Sequence, residues 1–155
     1  MRIKKFSIKK DKVNIRYESQ NKKTGSWDEY SMSCSDAPRP ELEKALQDLA
    51  TDVLEMCELP KEYTKRIKVT GVTFSYGGEN EVMGATITSQ MKLHKSNCDL
   101  NINTPHKASA SYTAFDADPK ALLTNECIAA LEYLCKEIEL YISGQRAQTT
   151  LFAVL

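Results

Sequence analysis

The stretch IKVTGVTFSYGGENEVMGATITSQMKL, residues 67–93, decides the fold. Ile67 and Val69 share one alternating phase, Val72, Phe74 and Tyr76 share the other, and Gly71 stands between them. A period of two marks strands with one buried face, and a glycine at the change of phase is where a bulge would absorb the extra residue. Gly77-Gly78-Glu79-Asn80 supplies a turn, after which Met83, Ala85, Ile87, Met91 and Leu93 alternate again. The segment therefore predicts two long antiparallel strands.

Upstream, Phe6 and Ile8 alternate with polar neighbours, and Val13, Ile15 and Tyr17 do so strictly, with the charged run Lys9-Lys10-Asp11-Lys12 between them. That is a hairpin. Ser19 to Ser26 is polar and loop-like, and Trp27 to Met32 predicts a third strand. Pro40 suits a first helical position, and Leu42, Ala45, Leu46, Leu49, Val53 and Met56 form an apolar stripe that predicts one helix ended by Pro60. Downstream, a shorter strand is expected around Leu100 and Ile102, after the turn Lys95-Ser96-Asn97. Residues 103–119 read as mostly loop, with a short extended piece at Ser111 to Phe115. Ile128, Leu131, Leu134, Ile138, Tyr141 and Ile142 predict a last helix, capped by Thr124 and ended by Gly144. The expected class is α+β: a mainly antiparallel sheet of five to six strands with two helices packed on one face. Residues 1–144 form one domain in this reading and residues 145–155 a tail.

With 155 residues, 41% of them hydrophobic and 27% charged, the chain can bury a core. Its 21 basic and 21 acidic side chains balance, so net charge gives no reason to expect a polyanion. The balance conceals an asymmetry, because residues 1–25 hold nine basic side chains against Asp11 and Glu18, a local excess of seven that the remainder offsets. There is no apolar run of spanning length and no signal-peptide pattern, and the five cysteines are irregularly spaced. A cytoplasmic protein with free thiols and no membrane partner is expected.

Catalytic signatures are few: the sequence has no phosphate-binding glycine loop, no G-x-S-x-G and no zinc-type cysteine quartet. His94, Cys98 and His106 match no standard metal spacing, and Asp116 with Asp118 before Pro119 suits a turn and cap better than a cation site. Glu79, Asn80 and Glu81 read as a solvated hairpin tip. No catalytic residue, metal or cofactor is expected. The basic hairpin offers more, since Lys12, Asn14 and Arg16 fall on the face opposite Val13, Ile15 and Tyr17. With Trp27 and Tyr30 as stacking platforms, Lys12 and Arg16 would suit single-stranded DNA. The plainer reading, preferred on sequence alone, makes these lysines guards of a sheet edge and Tyr17 and Trp27 core.

The tail carries the most specific pattern. Gln148-Thr149-Thr150-Leu151-Phe152 resembles the Q-x-x-L-F pentapeptide by which bacterial and phage replication and repair proteins bind the β sliding clamp of DNA polymerase III. The resemblance implies that Gln148 hydrogen-bonds at one end of a groove while Leu151 and Phe152 fill an apolar pocket. The competing reading folds Leu151, Phe152, Val154 and Leu155 back over the domain's own core. In general character, in Ser75-Tyr76-Gly77-Gly78-Glu79-Asn80 and Asn103-Thr104-Pro105-His106-Lys107, and in its tail, the chain also resembles small uncharacterised phage and prophage proteins of replication regions. The expectation is a non-enzymatic accessory protein of replication or recombination that binds the clamp. A single-stranded nucleic-acid-binding module comes second, and a metal-dependent nuclease using Asp116, Asp118 and the His94/His106 region last.

Overall fold

Each alternating segment becomes a strand of one antiparallel sheet. The computed structural model describes residues 1–110 and 118–147. The strands are β1 (Arg2–Lys9), β2 (Lys12–Gln20), β3 (Trp27–Cys34), β4 (Ile67–Gly77), β5 (Val82–Met91), β6 (Leu100–Asn103) and the short β7 (Lys107–Ala108). They are ordered β3-β2-β1-β4-β5-β6, with β7 beside β5. β1 and β2 are joined by two residues, Lys10 and Asp11, both in the left-handed region with φ of 50° and 61°. That geometry matches the right-handed twist of the flanking strands. The phase change at Gly71 is a bulge: the β4–β5 register passes from Val69↔Ser89 to Gly71↔Thr88.

A second bulge lies in β1, where the β1–β2 register shifts between Ile3 and Lys5. It lets Ile3 and Phe6, three residues apart, both reach the core. A row of apolar side chains then crosses five strands: Met32, Ile15, Phe6, Val72 and Ile87.

The helices cover this face. The apolar stripe predicted as one helix is two, α1 (Pro40–Gln47) and α2 (Ala50–Met56). The break is slight, since Asp48 and Leu49 stay right-handed (φ −61°, ψ −17° and φ −74°, ψ −6°) and Leu49 is fully buried. The stripe therefore survives the break. At that break, the Gln47 side chain donates to the Ile67 carbonyl at 2.8 Å and accepts from the Val69 amide at 3.2 Å. It thereby partners backbone groups of β4 beyond the segment that β1 pairs, Gly71 to Thr73. The third helix, α3 (Asn125–Ile142), buries Leu131, Leu134, Ile138 and Tyr141. Its Thr124 cap accepts from the Cys127 amide at 3.1 Å, and Gly144 follows with φ of 108°.

The structure is thus α+β, with seven strands and three α-helices among the described residues. No helix among them is long and apolar enough to cross a membrane.

Candidate functional site

The strand alternation that sends Phe6 and Ile15 inward sends another set of side chains to the uncovered face. Ser33, Asn14, Ser7, Gly71, Thr88 and Asn103 are successive cross-strand neighbours over six strands. Beside them runs a second row, Ser31, Arg16, Lys5, Thr73 and Thr86. Small polar groups make the floor, and long cations stand on it. Over β1, β2 and β3 the surface forms a groove of about 550 Å³ whose polar lining includes Lys5, Lys9, Arg16, Ser7, Asn14 and Ser33. Lys5, Lys9 and Arg16 are exposed, no carboxylate lines the groove, and none of the three cations meets an acid among the described residues.

The other end of this face is neutralised. Glu18, almost fully buried, takes Arg2 at 2.8 Å and Lys4 at 3.2 Å, while Arg2 also reaches Glu81 at 3.1 Å. The hydrogen bond from Arg2 holds the Glu18 carboxyl below its ordinary range, against the opposing effect of burial. Glu81, at the β4–β5 hairpin tip, is therefore engaged rather than merely solvated.

The sequence-predicted nucleic-acid residues separate. Lys12 and Arg16 do stand on the open face with Asn14, and Lys12 pairs with Lys9 at the mouth of the hairpin. Trp27 is half-buried, and the Arg2 guanidinium lies 3.9 Å from the centre of its ring. Tyr30 stacks on Tyr17, ring centres 5.2 Å apart. The two tyrosines are register partners on the side opposite Arg16 and Ser31. Lys5, Lys9, Ser7 and Ser33 were not singled out by sequence. Alternation about Phe6 and Ile8 puts Lys5, Ser7 and Lys9 on the face opposite Phe6, but only the β1–β2 register sets Lys5 beside Arg16.

His106 Nε2 and Ser75 Oγ are 2.7 Å apart on the outer face, where the ring crowds Gly84. His94 and Cys98 are exposed between β5 and β6. Asp118 caps a short 3-10 turn through the Lys120 amide at 3.0 Å, and Asp116 lies outside the described residues. No group of three His, Cys, Asp or Glu side chains among the described residues is placed to hold a metal ion. All five cysteines are free thiols. Burial pushes the Cys127 and Cys135 thiols up to about 12, so at neutral pH neither is a nucleophilic thiolate.

Past α3 the backbone does not leave the domain at once. The Gln145 amide donates to Leu140 O and the Ala147 amide to Ala37 O, both at 2.9 Å. Arg146 pairs with Asp36, and its guanidinium lies 4.6 Å from the centre of the Tyr141 ring. These contacts fix the chain beside the β3–α1 connection up to Ala147. Gln148, Leu151 and Phe152 follow and lie outside the described residues. No family model matches the chain, and neither a curated protein nor a solved structure matches it.

Proposed function

We propose that this protein is a non-enzymatic phage or bacterial replication or recombination accessory factor that docks on the β sliding clamp through Gln148, Leu151 and Phe152. The observation that carries the reading is the Q-x-x-L-F pentapeptide, which begins one residue after Ala147. Support comes from the chain before it: the Arg146–Asp36 pair and the Ala147–Ala37 hydrogen bond hold residues 146 and 147 against the domain surface. In this reading the folded domain is cargo or shield, and the peptide is the attachment.

The energetics suit a weak, exchangeable contact. Burying Leu151 and Phe152 contributes about 1.5–3 kcal/mol each, and hydrogen bonds at Gln148 add about 0.5–1.5 kcal/mol each. Ordering the peptide costs about 1–2 kcal/mol per residue. These terms nearly cancel, so a single peptide binds weakly, and two copies on a dimeric clamp would raise retention through effective concentration. The test is retention of the full chain on immobilised clamp, comparing wild type with Leu151→Ala/Phe152→Ala. Wild type is retained and the double variant is not; equal retention rejects the motif.

A further inference from the structure

The groove on the uncovered face of β1, β2 and β3 is a surface of different chemistry from the tail. We propose that it binds the phosphate backbone of single-stranded nucleic acid, with Lys5, Lys9 and Arg16 neutralising phosphates and Ser7, Asn14 and Ser33 donating hydrogen bonds to their oxygens.

Charge complementarity carries the argument. At the other end of this face Arg2 and Lys4 are partnered by Glu18. Lys5, Lys9 and Arg16 line a groove that contains no acid at all. Residues two apart on a strand repeat at about 7 Å, so Lys5, Ser7 and Lys9 present a ladder of donors along β1. The period is comparable with the phosphate step of an extended single strand. Arg16 is the cross-strand partner of Lys5 and widens that ladder at one rung. The floor of serine and asparagine supplies neutral donors and leaves room for a backbone to lie close.

The same geometry fixes what is not recognised. No aromatic side chain lines the groove: Trp27 lies at the neutralised end of the face, covered by Arg2, and Tyr30 is engaged in stacking on Tyr17. Binding is therefore through phosphates, with bases turned outward, and is indifferent to sequence. This differs from a stacking platform, in which bases lie on aromatic rings.

The test uses the full-length protein and fluorescein-labelled single-stranded homopolymers of thymidine and of adenosine, followed by anisotropy over a range of salt. Both homopolymers bind with similar affinity, and log affinity falls linearly with log salt. For a single strand the slope is about −0.7 per neutralised phosphate, so Lys5→Ala/Arg16→Ala flattens it by about 1.4. Lys22→Ala/Lys23→Ala, in the β2–β3 loop away from the groove, leaves the slope unchanged. Trp27 is the only tryptophan, and its emission stays constant on binding. No binding at low salt, equal flattening by the loop variant, quenching of Trp27, or tighter binding of a duplex of equal length each overturns the proposal. The clamp is absent from this assay, so its outcome is independent of the tail; Leu151→Ala/Phe152→Ala binds the homopolymers as wild type does.

Discussion

On β1, Phe6 is fully buried beneath the helices while its neighbour Lys5 stands exposed over the groove. The two positions separate the work of the sheet's faces. The inner row of Met32, Ile15, Phe6, Val72 and Ile87 holds α1, α2 and α3 by burial of apolar surface, which is non-directional and large. The outer row is polar, small or charged, and contributes little to cohesion because water solvates it as well as the fold does. A surface that the fold does not need is where side chains are free to serve a ligand.

Truncating Phe6 breaks this contrast most severely. Phe6→Ala is expected to lower unfolding free energy by about 3–5 kcal/mol, measured by urea denaturation, whereas Lys5→Ala stays within about 0.5 kcal/mol of wild type. A comparable loss in Lys5→Ala would mean that the outer face also carries the fold.

Gly71 sharpens the contrast because it belongs to the outer row yet borders Phe6. A Cβ at this position would lie 2.6 Å from the Phe6 carbonyl oxygen and 3.0 Å from Ser7 Cβ. The obstacle includes backbone of the paired strand, which cannot swing aside. Gly71→Ala is expected to destabilise by about 1–3 kcal/mol, with weakened hydrogen-exchange protection where β1 meets β4. A neutral result would show that the β1–β4 pairing has slack at the bulge.

Gly71 also shows what could be read in advance. Its place between two opposed alternating phases announced a bulge, and the long runs on either side announced β4 and β5. Where the pattern stayed unbroken but the backbone did not, sequence was silent. Asp48 and Leu49 leave the helix while remaining right-handed, so the stripe from Leu42 to Met56 reads as continuous. The role of Gln47 was hidden for another reason, since a side-chain amide that completes a strand 20 residues away leaves no periodic mark. In the candidate site, Lys12 and Arg16 followed from alternation along β2, whereas the pairing of Lys5 with Arg16 needed the β1–β2 register. Composition could suggest Trp27 and Tyr30 as platforms. Only cross-strand register separates Tyr30 from Arg16, and only tertiary contact puts Arg2 over Trp27.

Glu18 gives the smallest of these effects and the most informative, because it is an outer-face charge on which the fold does lean. Its carboxylate holds Arg2 and Lys4, and its pKa lies below the ordinary glutamate value of 4.5. A carboxyl depressed in the folded state stabilises the fold above its unfolded pKa, and that contribution disappears as pH falls through the folded value. Glu18→Gln keeps the size and one acceptor but removes the charge, so near neutral pH it should cost about 1.5 kcal/mol, the low end for a hydrogen bond to a charged group. Arg2 retains Glu81, and Lys4 is about one-third exposed, so water compensates part of the loss. The difference between wild type and variant should shrink as pH is lowered from about 4.5, followed as urea midpoints across that range. If the gap instead widened in acid, Glu18 would be protonating more readily in the folded protein than in the unfolded chain. The neutralised half of the face would then be a site of strain, and the division between partnered and unpartnered cations would no longer distinguish structure from binding.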